Sequence, residues 1–293
     1  MTSSTLAVPR GSAADYVELV KPRITSMVML TALVGFVMGS RGAVDFSALA
    51  SVLVGTGLVA AGASALNMLL ERRTDGLMRR TQNRPLPAGR LRPVEALAWG
   101  ALLTLSGAVF LAWRSGPLPA RVALVTWATY LFLYTPLKTR TSLSTVVGAL
   151  PGALPPVIGW AAARGSIDAG AFVLFAILFL WQNPHFLSIA WIYREDYARG
   201  GLPMLPVVDP AGVVTGRQAV ANALALAIVS LTPAFGGMAG PIYLAGALAL
   251  GVMFTAAAVR AAVKRTPAAA RGLFLASLAY LSILCTLLIV DRM

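Results

Sequence analysis

The sequence predicts an all-α, polytopic membrane helix bundle of about nine transmembrane helices, and three observations predict it. First, 58% of the 293 residues are hydrophobic and 12% are charged, where a soluble domain carries about 45–50% and about 25%. So apolar a core cannot be covered by the polar surface available, so most of the solvent is lipid. Second, apolar stretches near the ~20 residues of a spanning helix recur along the whole chain. Third, the cations fall mostly in alternate loops, as membrane topology requires. The net charge of +13 would suggest nucleic acid in a soluble protein. Here the cations sit in short loops between apolar runs and serve topology, so no nucleic-acid partner is expected.

Taken in order, residues 1–23 read as a short cytoplasmic tail lying along the membrane surface. Asp15, Glu18, Lys21 and Arg23 precede the first apolar run, and no small-residue cleavage site follows it, which argues against a signal peptide. Spans are expected over 24–40, 46–70, 94–113, 118–134, 143–163, 169–193, 219–234, 240–259 and 272–290, of which the fourth and seventh are short. Of 24 Lys and Arg residues, all but Arg41, Arg114, Arg121, Arg164 and Arg292 fall in one set of loops. The positive-inside rule then puts the N-terminus in the cytoplasm and the C-terminus outside. Outer loops are brief turns. Two inner loops, 71–93 and 194–217, are long, polar and rich in carboxylates, prolines and aromatics, which marks them as functional. The inner loop before the last span is basic and otherwise featureless. Glycines scattered through the spans fit close helix packing. Cys285, the single cysteine, lies in an apolar run and can form no internal disulfide.

The second span ends in Asn67, Glu71 and Asp75, spaced i, i+4, i+8. Each step drifts about 40° around the helix, so all three oxygens lie on one stripe. Two carboxylates so placed repel unless a cation lies between them. Oxygen ligands of this kind suit Mg²⁺ shared with substrate phosphates; the alternative is a helix end whose acids pair with Arg72 and Arg73. Arg79, Arg80 and Arg84 follow at once, and arginine forks suit phosphate oxygens. Together these elements read as a diphosphate cradle, unless the arginines only anchor lipid head groups.

A matching element closes the sixth span: Trp181, Gln182, Asn183, Pro184, His185 and Phe186. Amides and a histidine inside a membrane helix are costly unless they face a cavity or a partner. Pro184 removes a backbone hydrogen bond and is expected to kink the helix. Glu195 and Asp196, before Tyr197, offer a second acidic cluster; Glu195 could instead pair with Arg199 at i+4. Lys138 and Arg140 lie in the inner loop after the fourth span, where they could reach a phosphate or serve topology alone.

These residues resemble the intramembrane (UbiA-type) prenyltransferases. Asn67-x3-Glu71-x3-Asp75 is similar to that superfamily's first acidic motif, N-x3-D-x3-D, with glutamate for the middle aspartate. The closer resemblance is to the branch of protoheme IX farnesyltransferases, or heme O synthases. Its phrases appear in order: Lys21-Pro22-Arg23-Ile24-Thr25, Arg80 to Leu86, Tyr134 to Lys138, Gly152 to Pro156 with Gly159-Trp160, and Trp181 to Phe186 through Tyr193-Arg194-Glu195-Asp196-Tyr197 to Pro206. The superfamily's second motif, D-x3-D, is broken here, because Gly200 stands four residues after Asp196. The heme branch has the Arg-Glu-Asp-Tyr form instead.

The resemblance implies one membrane-embedded prenyltransferase domain over residues 1–293, in a bacterial cytoplasmic membrane with its active site on the cytoplasmic side. It implies that farnesyl diphosphate, heme b and water give heme O and diphosphate, with heme b a substrate rather than a cofactor. Asn67, Glu71, Asp75 and Asp196 would be catalytic, holding Mg²⁺ with Glu195 as the alternative ligand. Arg80, Arg84, Lys138 and Arg140 would bind diphosphate. Trp181, Gln182, Asn183, His185, Phe186 and Tyr197 would contact heme or prenyl chain, with His185 either ligating heme iron or only orienting the porphyrin. Heme A synthase or a terminal oxidase are the candidate protein partners. The rival readings are a sister enzyme acting on an aromatic quinone precursor and a heme transporter.

Overall fold

The structure, a computed structural model, describes residues 11–293; the first ten residues of the expected tail lie outside the described residues. In chain order the helices are α1 (Ala13–Leu19), α2 (Pro22–Gly39), α3 (Phe46–Leu77), α4 (Pro93–Ser115), α5 (Pro117–Ala128), a π-helical segment (Thr129–Tyr134), α6 (Thr135–Leu137), α7 (Ser144–Ala153), α8 (Pro155–Arg164), α9 (Ala169–Ile192), α10 (Arg194–Arg199), α11 (Leu205–Val208), α12 (Val213–Val229), α13 (Thr232–Phe235), α14 (Pro241–Lys264) and α15 (Pro267–Val290). Among the described residues there is no strand, only an isolated bridge between Ala239 and Arg292.

Local chemistry fixes where these helices begin. Proline opens α2, α4, α5, α8, α14 and α15, where its missing N–H costs nothing and its fixed φ suits the first turn. Asp45 caps α3 by accepting from the Ser47 and Ala48 amides at 2.8 and 3.0 Å, and Asp168 and Thr266 cap α9 and α15.

Eight helical segments are long and apolar enough to cross a membrane. The fourth expected span is not among the eight; its residues form α5 continued by the π-helical segment and α6. The fifth is divided between α7 and α8, and the seventh between α12 and α13. The helices form a closed ring. α2, α3, α4 and α5 pack in sequence, α5 meets α7 and α8, α9 meets α7, α12 and α15, α14 packs between α12 and α15, and α15 meets α2 directly. Where α2 crosses α8 the backbones touch: a Cβ on Gly35 would stand 1.9 Å from the Pro156 carbonyl, and one on Gly159 1.9 Å from the Ala32 carbonyl. No other residue fits either position.

Large apolar side chains face outward, such as Leu105 and Val109 on α4 and Val252 on α14. In water such a surface would aggregate; in a bilayer it is the solvated face. Asn67, Asp75, Gln182, Asn183, His185 and Asp196 are buried inside. α3 has 32 residues, about 48 Å of helix, against about 30 Å of bilayer hydrocarbon. Its last turns therefore emerge from the membrane carrying Glu71 and Asp75. Residues 71–77, expected as loop, are thus helix, and the expected loop 194–217 is partly wound into α10, α11 and the start of α12.

Candidate active site

Polar side chains from five segments meet at one end of the ring. Asn67, Glu71 and Asp75 form the stripe on α3, and Asn67 and Asp75 are almost fully buried. Each oxygen donor has a cation beside it. Lys21 donates to Asn67 Oδ1 at 2.7 Å, Lys138 to Glu71 Oε1 at 2.6 Å, and Arg84 to Asp75 Oδ2 at 2.8 Å. Neither Arg72 nor Arg73 forms an ion pair among the described residues, and Arg72 turns back to the Leu69 carbonyl. The acids therefore pair across the fold, not with their sequence neighbours.

Local structure explains each position. Lys21 stands between α1 and α2 in a left-handed conformation, φ 48°, which is costly for a residue with a Cβ. Pro22 follows it and starts α2, so the turn that aims the lysine inward is rigid. The π-helical segment ends at Thr135, whose hydroxyl donates to the Tyr130 carbonyl and accepts from Asn67 Nδ2 at 3.0 Å. The wider π turn delivers Thr135 to Asn67 and Lys138 to Glu71, a placement in keeping with the association of π turns with functional sites. Tyr134 lies under the Lys138 ammonium, 5.3 Å from ring centre to nitrogen.

The loop after α3 joins the two acidic elements. The Arg79 amide donates to Asp196 Oδ1 at 3.2 Å, and Arg199 donates to the same oxygen at 2.6 Å. Arg80 lies over Tyr197 at 4.5 Å and Tyr193 at 5.3 Å, and Met78 packs with Tyr197, Leu202 and Met204. Thr81 donates to the Asp75 carbonyl at 2.8 Å. Asp196 is thereby tied to the loop that leaves the end of α3, whereas Glu195 is exposed. The pairing of Glu195 with Arg199 does not form, since the Arg199 guanidinium goes to Asp196. Arg140 is exposed and makes no side-chain contact with the cluster among the described residues.

The other α9 residues lie deeper. Gln182 donates to the Ala149 and Leu178 carbonyls and fills the space left by Gly152, where a Cβ would meet its Oε1. Asn183 donates to the Phe179 carbonyl. Trp181, His185 and the half-buried Phe186 form an aromatic group, with Trp181 donating to the Ser277 carbonyl at 2.7 Å. α9 continues through Pro184 as a single helix.

The electrostatics follow from burial and pairing. Burial pushes the Lys21 ammonium down to about 8, against the pull of the Glu71 carboxylate. Burial also works against charge on Lys138, but there Glu71 outweighs it and holds the lysine above its ordinary value. Among the described residues no three His, Cys, Asp or Glu side chains stand close enough to hold a metal by themselves. The oxygen set still fits Mg²⁺, which binds through one or two carboxylates plus substrate phosphates. Each of these oxygens now accepts a hydrogen bond from a basic side chain that suits a phosphate equally well.

Sequence reasoning missed Lys21 and Thr135 as site residues. Lys21 was legible only as a charge of the tail and as part of the Lys21-Pro22-Arg23 phrase, because the left-handed turn that directs it into the site leaves no composition signal.

A family model described as the UbiA prenyltransferase family matches residues 28–284. A protoheme IX farnesyltransferase of Solibacter usitatus (strain Ellin6076) is 50% identical over 287 residues, spanning 95% of this chain and 98% of that protein. One of Salinibacter ruber (strain DSM 13855 / M31) is 44% identical over 277 residues, 94% and 98%. Among solved structures, a digeranylgeranylglyceryl phosphate synthase superposes with a TM-score of 0.80 at 17% identity, covering 95% of this chain and 97% of that one. A UbiA homolog from Archaeoglobus fulgidus bound to GPP and Mg²⁺ superposes with a TM-score of 0.67 at 15% identity, covering 94% and 99%. The two structural likenesses establish a shared fold.

Proposed function

The chain belongs to the UbiA prenyltransferase family, and from that premise we propose that it transfers the farnesyl group of farnesyl diphosphate to a vinyl group of heme b, giving heme O. The observation that carries this reading is the set of matched pairs at one rim: Lys21 with Asn67, Lys138 with Glu71, Arg84 with Asp75, and Arg199 with Asp196. Identity of 50% over 95% of the chain to a protoheme IX farnesyltransferase supports the choice of acceptor.

Charge-assisted pairs of this kind can exchange partners. Asn67, Glu71, Asp75 and Asp196 would hold Mg²⁺, and the cations they release would take diphosphate oxygens. No buried charge is left alone, which matters because an unpaired buried ion costs about 3–5 kcal/mol. When bound, Mg²⁺ supplies charge neutralisation for the leaving diphosphate. Lys138, Arg84 and Lys21 add charge-assisted hydrogen bonds to the same oxygens, which strengthen as the allylic C–O bond breaks. Arg80, set between Tyr193 and Tyr197, is oriented for a further contact.

The farnesyl chain would run from this rim into the apolar ring, where the absence of water keeps the allylic cation from being quenched early. The heme vinyl group attacks that cation, water adds to the carbocation so formed, and a proton leaves. Trp181 and Phe186 offer aromatic faces near the path. The apolar farnesyl tail and the porphyrin would both enter from the bilayer, which is why the site lies inside a membrane bundle. By the same reading the rim faces the cytoplasm of a bacterium, and a heme A synthase or a terminal oxidase would consume the product.

Product analysis tests the proposal. Purified protein in detergent is incubated with heme b, farnesyl diphosphate and Mg²⁺, and the extracted pigments are examined by mass spectrometry. A heme carrying one added farnesyl and one hydroxyl is expected. No heme product, with prenylation of an aromatic acid tried in parallel, would move the chain to a sister reaction.

A further inference from the structure

His185 is the only histidine in the chain, and its surroundings fix more than its position. Its ring stacks between Trp181, 4.7 Å away and tilted 21°, and Phe274 of α15, 5.2 Å away and tilted 30°. Its Nδ1 lies 2.7 Å from the Ser277 hydroxyl. That hydroxyl also bonds the Phe274 carbonyl.

The proton count around Ser277 is closed. A carbonyl can only accept, so the single hydroxyl proton goes to Phe274. Ser277 Oγ can then only accept from the imidazole, so Nδ1 carries the ring proton. Nε2 is left with a lone pair. Among the described residues Nε2 has no hydrogen-bond partner, and it is not one of the sealed-off polar atoms, the residue keeping 9% of its surface accessible. The carbonyl of the same Ser277 takes the Trp181 indole proton at 2.7 Å. One residue of α15 thus sets both the plane and the tautomer of His185. In a purely structural polar knot both ring nitrogens would be satisfied, as buried polar atoms generally are.

An imidazole that donates Nδ1–H to an oxygen and presents Nε2 is the form that binds transition metals, and the oxygen raises its strength as a ligand. His185 lies eight residues before Tyr193, the partner of Arg80, or about 12 Å along the helix axis from the diphosphate rim. Resting on the reading that heme b is the acceptor, we propose that His185 Nε2 binds the heme iron and that Ser277 is the residue that positions it. The iron takes no part in the transfer. Its ligation fixes the porphyrin and so selects which vinyl group faces the rim.

The test titrates heme b into the full chain in detergent, without farnesyl diphosphate. The wild-type ferrous complex is expected to show an iron–histidine stretching band by resonance Raman. His185→Ala should lose the band and weaken heme binding at least about tenfold, and added imidazole should restore ligation. Ser277→Ala should keep the band at lower frequency, and Ser277→Thr should return it to the wild-type position. Thermal melting of each variant reports folding separately. A wild-type heme complex without a histidine band overturns the proposal, even if His185→Ala fails to fold. So does a band that Ser277→Ala leaves unmoved. If heme O forms but the band is absent, this inference fails alone. If heme neither binds nor reacts, the choice of acceptor fails and takes the inference with it.

Discussion

Glu71 and Lys138 are both largely buried, with side-chain exposures of 12% and 14%, so the outcome of a substitution depends on whether an acceptor survives. Glu71→Gln keeps an oxygen for Lys138 and should fold, yet it removes a charge from the metal set. Turnover should fall by about 100-fold or more, the scale of losing one electrostatic contact in a preorganised site, and Asp75→Asn should behave alike. Heme product formation beside thermal melting separates the two effects. Lys21 gives a pH signature. Its proton is held with a pKa of about 8 in the fold and about 10.5 in a solvated chain. Between those values the unfolded chain holds a proton the folded one has lost, so folding gains stability as pH rises. The melting temperature of the wild type should therefore rise relative to Lys21→Met from about pH 8 to 10.5; a constant difference contradicts the assignment. At this scale the α3 stripe and Asp196 were legible, because i, i+4 spacing is a property of sequence. Arg84 and Lys138 were named as diphosphate ligands, but their pairing with Asp75 and Glu71, and that of Lys21 with Asn67, was not legible, because it forms only through tertiary structure.

At the scale of elements, α1 is a strut for the loop that carries Arg80 and Arg84. Arg90 donates to Asp15 at 2.6 Å, contacts Glu18, and bonds the Asn83 carbonyl, while Leu19 packs with Leu86 and Leu91. Asp15→Asn should raise hydrogen–deuterium exchange across 78–92 while the cores of α4 and α9 stay protected; unchanged exchange in that loop would show that α1 supports nothing there. The π-helical segment is the second device. The fourth span was expected as a short plain helix ending at Tyr134, and hydropathy cannot tell an i+5 turn from an i+4 turn. The extra width appears only as the Thr135–Tyr130 bond and the reach of Thr135 to Asn67. The split of the fifth span also escaped the sequence, although Pro155 and Pro156 stand at the break.

For the whole molecule, lipid solvation was readable from composition, since large apolar side chains such as Val54, Leu105, Phe172, Val252 and Leu275 face outward on the long helices. Ring closure was not, because it depends on which glycines meet a backbone. Gly35 and Gly159 do, so Gly159→Val should prevent α2 from docking on α8. Loss of the monodisperse detergent peak in size-exclusion chromatography is the expected outcome, and a stable, well-behaved variant would contradict the packing described. The ring gathers its carboxylates and their basic partners at one end, while Gln182, Asn183 and His185 lie deeper along α9. The most direct measurement of this arrangement is calorimetric binding of an unreactive farnesyl thiolodiphosphate, with Mg²⁺ and with EDTA, to the wild type and to Glu71→Gln. Binding that requires Mg²⁺ and is lost in the variant is the result expected of a carboxylate set that trades its cations for a metal–diphosphate. Equal binding in EDTA, or full binding to Glu71→Gln, would contradict it.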